Sequence, residues 1–129
     1  MISYSQKILI DGEMTGTDEN TSDPLWVGTA TVFGIQALRD GDAAGSVKLQ
    51  ASCSPARPNT LAGNLPSVAI PDEEWEDIPD STFSVAATVG WIWSYDGAGF
   101  NWVRAVYTNA SGTGTINVRA NVKSNEVLG

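Results

Sequence analysis

The chain has 129 residues, the size of one domain that can bury a core without metal or disulfide staples. Hydrophobic residues at 42% and charged residues at 17% are those of a globular protein, and a formal charge of −8 argues against non-specific attraction to nucleic acid. The sequence contains no histidine, which removes the commonest general base, the usual metal ligands and every Ser-His or Cys-His nucleophile pair.

The N-terminal "MISYSQKILIDG" lacks a basic segment followed by a long apolar run, so no signal peptide is expected, and no stretch nears the roughly 18 apolar residues of a membrane span. Synthesis in a cytoplasm, with no membrane partner, is the expectation. A strand is predicted at residues 6–10, turning at Asp11-Gly12, and the polar run "TGTDENTSDP" reads as a loop. In "LWVGTATVFGIQAL", Thr29, Thr31, Phe33, Ile35 and Ala37 fall on one side. Ala30, Val32, Gly34, Gln36 and Leu38 fall on the other, so the strand is covered on both faces or lies at an interface. "RDGDAAG" then reads as a hairpin loop, and "SVKLQASC" returns as a half-buried strand with Val47, Leu49, Ala51 and Cys53 opposite Ser46, Lys48, Gln50 and Ser52. The lone Cys53 excludes an internal disulfide, and its parity predicts a buried small hydrophobe.

Residues 54–72 hold four of the six prolines and no sustained period, which predicts an irregular connection across one end of a sandwich, with a short edge strand at Val68 to Ile70. Six carboxylates follow in "DEEWEDIPD", around Trp75 and Ile78. Beyond them Val85, Ala87, Val89, Trp91, Trp93 and Tyr95 share parity, and "YDGAGF" supplies a turn. "NWVRAVYTNASGTGTINVRANVK" then reads as a hairpin that puts Ile116, Val118, Ala120 and Val122 inward and Asn117, Arg119, Asn121 and Lys123 outward. Turn signals every 8 to 15 residues, with no helical period, predict an all-β, antiparallel β-sandwich of jelly-roll-like type, with about eight strands in a single domain over 1–129.

Candidate chemistry is sparse. Asp72, Glu73, Glu74, Glu76, Asp77 and Asp80 offer the acids of a two-carboxylate glycosidase or of a calcium site, but an acidic run beside prolines is more simply a solvated loop. Trp26, Trp75, Trp91, Trp93 and Trp102 make five tryptophans in a small domain, Trp91 and Trp93 on one face of one strand, and they pose a choice between core packing, a protein interface and a platform for sugar rings. Arg104 and Arg119 face away from the apolar side of their strands, toward the acidic run or another subunit. No catalytic residue, cofactor or metal is assigned, and "NAS" at 109–111 is a glycosylation sequon without a secretory signal.

Several of these pieces occur together in a known pattern: the "W..I" strand at 75–78, "STFSV" at 81–85, "WVRAVY" at 102–107, "SGTGT" at 111–115 and a last strand ending "N.K" at 123. With the upstream "TATVFGIQAL" and "GSVKLQAS", residues 25–123 resemble small virion proteins of tailed bacteriophages. The resemblance implies a non-enzymatic β-sandwich, made in the infected bacterium and built into the virion. Its implied partners are the major capsid protein, other virion proteins or further copies of itself. Among virion posts, a capsid decoration (cement) protein suits the short chain and its Pro-rich arm. A tail or neck component, or a host-recognition module that binds glycan through exposed tryptophans, are the alternatives.

Overall fold

Alternating runs rich in Val, Ile, Thr and aromatic residues fit a pleated surface that is buried on one side. The computed structural model describes residues 2–28, 32–59, 65–85, 91–96 and 100–125, and the side chains of 7–28, 32–59, 65–85, 94 and 100–123. One sheet runs in the order β1 (Ile2–Thr15), β12 (Thr113–Asn125), β4 (Val32–Gly41), β10 (Trp91–Asp96), all antiparallel. The second runs β2 (Glu19–Thr21), β11 (Trp102–Ser111), β5 (Ala44–Ser52), β8 (Glu76–Asp77). Within it β3 (Leu25–Trp26) extends β2 along β11, and β9 (Phe83–Val85) adds to β5. β6 (Pro58–Asn59) and β7 (Leu65–Pro66) pair with each other as a separate ribbon, with β7 beside β3, and a 3-10 turn spans Asp72–Glu74.

If β2 with β3, and β8 with β9, each count as one position, the eight positions fall into the two sheets in the orders 1-8-3-6 and 2-7-4-5, the chain changing sheet at every step but the one from 4 to 5. That is the double Greek key of a jelly roll. The inner faces meet in one core, with Phe33, Ile35 and Ala37 of β4 and Ile116, Val118 and Ala120 of β12 facing Val47 and Leu49 of β5 and Val103, Ala105 and Tyr107 of β11. At roughly 1.5–3 kcal/mol for each large side chain buried, this core is the main source of stability.

The topology changes the meaning of two segments expected to be hairpins. β4 and β5 belong to different sheets, as do β11 and β12, so "RDGDAAG" and "NASGTGT" are arches between sheets. Alternation marks which residues point inward, and an arch and a hairpin share that pattern; only the strand partners separate them. The turn at Asp11-Gly12 does not form: both residues lie in β1, opposite Asn117 and Ile116, and the chain turns later, at Gly16 with φ 59°. The strand expected at Val68 to Ile70 is absent, and residues 65–66 pair instead. Cys53 lies just past the end of β5 and is exposed, because the strand that would have carried it inward stops at Ser52.

Three arches gather at one end of the sandwich, and each holds a glycine at positive φ: Gly16, Gly41 and Gly112. A Cβ on Gly112 would sit 2.1 Å from the Asp42 carbonyl oxygen, so only glycine lets the arches approach this closely. Asn109, 1% exposed, ties them together. Its Nδ2 donates to the carbonyls of Gly16 (2.9 Å) and Gly112 (3.1 Å), its Oδ1 accepts from the Tyr107 hydroxyl (2.8 Å), and its backbone N–H donates to Asp18 (2.8 Å). Both amide hydrogens and the amide oxygen are thus engaged within the fold and the side chain is buried, which leaves the sequon at 109–111 closed to modification in the folded chain.

Burial pushes the Tyr107 phenol above its ordinary pKa, against a smaller opposing pull from Arg39. The folded-state value is the raised one, so this contribution to stability is complete below about pH 10 and is lost as the pH climbs past it. Stability measured by urea unfolding is expected to fall less steeply with pH above about 10 in Tyr107→Phe than in the parent, whatever the lost bond to Asn109 costs at neutral pH. An unchanged pH dependence would remove Tyr107 as the titrating group.

Candidate functional site

Three of the six candidate contact residues, Trp75, Trp102 and Arg104, converge on the outer face of the second sheet. Along β11 the inward set is Val103, Ala105 and Tyr107, so parity sends Trp102, Arg104 and Val106 outward. Yet Trp102 is fully buried and Val106 nearly so; the arm reaches back over this face at Ala56, beside the Trp102 indole, and the acidic segment does so at Trp75, over Arg104. The Trp102 indole meets Trp26 of β3 edge to face at 5.0 Å, and its Nε1–H donates to the Ala56 carbonyl at 3.0 Å. The Asn101 side-chain amide donates to the Ser54 carbonyl (3.0 Å), while the Ser52 and Ser54 hydroxyls accept from the backbone of Ser54 and Ala56. The proline-rich arm is therefore stitched to the sheet at its first residues.

The acidic run is anchored next to it. Trp75 and Ile78 are its buried residues, and between them Glu76 and Asp77 pair with Ala51 and Gln50 of β5. Ile78 and Pro79 enter a turn in which Asp80 takes a positive φ of 60° and Ser81 N–H donates to the Ile78 carbonyl at 3.3 Å. The buried Ser81 hydroxyl accepts from Leu49 N–H (3.1 Å) and donates to the Ile78 carbonyl (2.7 Å). Asp72, Glu73 and Glu74, by contrast, are exposed on their 3-10 turn, as expected of a solvated loop.

Arg104 connects the parts. Its guanidinium carbon lies 4.4 Å from the Trp75 ring centroid, and its Nε donates to Gln50 Oε1 at 2.8 Å. Asp72 stands 3.7 Å from its Nη1 but is 95% exposed, so that ion pair is worth little beside the stacking and the amide bond. The row continues from Gln50 Nε2 to Asp77 Oδ1 (2.9 Å), with Lys48 Nζ 3.3 Å from the same oxygen. The Gln50 hydrogen bond, with Lys48 after it, holds the Asp77 carboxyl below its ordinary pKa. The resulting stabilisation is present at neutral pH and fades as the pH falls below about 4; with both side chains exposed, it is small.

Of the residues singled out in the sequence, the structure brings Trp75, Trp102 and Arg104 together here. Neither Trp75 nor Trp102 is an exposed platform for a sugar ring: both are buried, Trp102 against Trp26 and Ala56 and Trp75 with the Arg104 guanidinium over its ring. Arg119 lies on the outer face of the opposite sheet, exposed, with its Nε donating to Asn117 Oδ1 at 2.7 Å and with Ile8 as its cross-strand neighbour. Trp91 and Trp93 are paired through their backbones to Ala37 and Ile35, and their indoles lie outside the described residues. Lys48 and Gln50 are not among the candidate contact residues, although their parity predicts the outward direction they take, and Trp26 counts among the five tryptophans without a signal that it meets Trp102.

Two open grooves flank the anchored segment. One, of about 550 Å³, has Ala51, Ile78, Pro79 and Phe100 among its lining, with Cys53, Glu74 and Glu76 at its side. The other, of about 570 Å³, lies between the start of the arm at Pro55 to Arg57 and Val68, which is 69% exposed. Glu74 borders both grooves.

No protein-family model and no curated protein sequence matches the chain. Among solved structures, PBSX exported protein XepA superimposes with a TM-score of 0.61 at 15% identity, covering 95% of this chain and 38% of that one. The SPBc2 prophage-derived protein YomS does so with a TM-score of 0.51 at 18% identity, covering 96% of both chains. The chain thus spans well under half of the first protein and nearly all of the second. At these identities the likeness is one of fold, and two proteins of prophage origin share it.

Proposed function

We propose that this protein is a non-enzymatic structural component of a tailed-phage particle, and specifically a decoration protein that binds the outer surface of the major capsid shell and stabilises it. The observation that carries the phage assignment is the match of this single sandwich, end to end, to a prophage-derived protein of the same size class. The arm and acidic segment support the decoration role. They are irregular, yet pinned to a rigid sheet by Trp102, Trp75 and Ser81, and they present exposed apolar and acidic groups at its surface. Ordered loops on a rigid sandwich are the usual place for binding residues.

A second reading, a module that acts outside the cell as part of an exported phage protein, is favoured by the fold shared with PBSX exported protein XepA. Sedimentation separates the two. The decoration role predicts saturable, stoichiometric binding of purified protein to expanded, emptied shells of the parent phage, and a higher temperature of shell disruption. Co-purification with tails alone, or recovery only as a free protein in the medium, would overturn it.

A further inference from the structure

The groove beside β8 has a chemistry that selects its occupant. Its floor is apolar, made by Ala51 at the end of β5, by Ile78 and Pro79 after β8, and by Phe100, which leads into β11. Its side carries carboxylates in two different situations. Asp77 is already matched by Lys48 and Gln50, whereas Glu74 and Glu76 are exposed and have no ion pair or side-chain hydrogen bond among the described residues. β8 is also the outermost strand of its sheet, so an extended chain can approach along it. A volume of about 550 Å³ accommodates one or two side chains of such a segment rather than a folded element.

We propose that this groove is the docking site for an extended protein segment in which an apolar residue sits beside lysine or arginine, the apolar side chain resting on Ile78, Pro79 and Phe100 and the cation meeting Glu74 and Glu76. Charge complementarity sets the choice: the chain carries 15 acidic against 7 basic residues, and the two unmatched carboxylates stand at the rim of the apolar floor. The inference deepens the proposed function by giving the chemistry of the partner's segment, and it depends on that reading only for which protein supplies the segment.

Cys53, the single cysteine, lines the groove and is exposed, so its alkylation reports on occupancy. The probe is an end-blocked Gly-Lys-Leu-Lys-Gly peptide, added to the full-length protein while iodoacetamide modifies Cys53. Saturable slowing of alkylation is expected, with amide shifts in the nitrogen-proton spectrum confined to residues 51–53, 74–79 and 100. Gly-Glu-Leu-Glu-Gly and Gly-Lys-Gly-Lys-Gly should give neither effect. In Glu74→Gln/Glu76→Gln, which changes only exposed side chains, the half-saturating peptide concentration should rise about fivefold or more, the scale of two surface charge pairs.

Equal protection by the acidic peptide, no protection at millimolar lysine peptide, an unchanged double variant, or self-association of the protein through this groove would each overturn the proposal. Shell binding without peptide binding would refute the groove and leave the decoration role standing. Peptide binding without shell binding would do the reverse.

Discussion

Asn109→Ala is expected to cost about 2–4 kcal/mol, because it removes a fully engaged buried amide and strands the Gly16 and Gly112 carbonyls and the Tyr107 hydroxyl. The loss should read as a fall in Tm on the order of 10 °C and a lower urea midpoint. Asn109→Asp tests the reason for the loss. A carboxylate has the same shape but no N–H to offer, so it would face two carbonyl oxygens, and it should be as damaging as alanine at neutral pH. The size of the effect follows from what Asn109 connects: it lies on β11 of one sheet and bonds to the arch into β2 and the arch into β12, so it fixes where the sheets meet. A change below about 1 kcal/mol would show that the glycine arches hold themselves.

Trp102→Ala is expected to cost about 3–5 kcal/mol, the range for removing a large buried aromatic side chain, and to release the arm. The indole packs against Trp26 and bonds to Ala56, so its loss opens a cavity beneath residues 54–57 and frees the carbonyl that pins them. Limited proteolysis should then cut between Ser54 and Arg57 at protease levels that leave the parent intact. Trp102→Phe keeps much of the packing and loses the Nε1–H, and its cost should be nearer 1 kcal/mol. If Trp102→Ala unfolds the chain outright, the phenylalanine variant still tests the arm, through proteolysis at the same sites. Resistance in both variants would mean that the arm is held by Asn101 and the Ser52 and Ser54 hydroxyls without the indole.

The period-2 pattern made the inner faces legible. Val47 and Leu49 of β5, Val103 and Ala105 of β11, and Ile116, Val118, Ala120 and Val122 of β12 all point into the core as read. It carried no information on pairing, since a strand buried on one face alternates in the same way whether its chain neighbour lies beside it or across the sandwich. The positive-φ glycines were visible as turn signals, but a glycine marks a turn of either kind. Trp102 and Val106 illustrate a second limit. Their parity is outward and correct, yet both are buried; for Trp102 the cover comes from Ala56, 46 residues away in sequence, whose carbonyl accepts its indole N–H.

The site was legible in fragments. Outward parity identified Arg104, Lys48 and Gln50, and composition identified the acidic run, but the row from Trp75 through Arg104 and Gln50 to Asp77 depends on β8 pairing with β5. Nothing in a two-residue strand of Glu and Asp announces such pairing, because both residues are poor strand formers. Asn109 was noticed only as part of a sequon. The signal for its structural role is the pair of glycines that follow it, at positions 112 and 114, which mark a place where backbones crowd and a buried amide can bridge them.

Deuterium exchange on the shell-bound protein tests most directly the claim that the arm-covered face of the second sheet is the assembly surface. The expected result is protection gained at residues 51–59 and 72–79 on binding, with the outer face of the first sheet, including Arg119 and Lys123, unchanged. Protection confined to that opposite face, or none in either place, would contradict it.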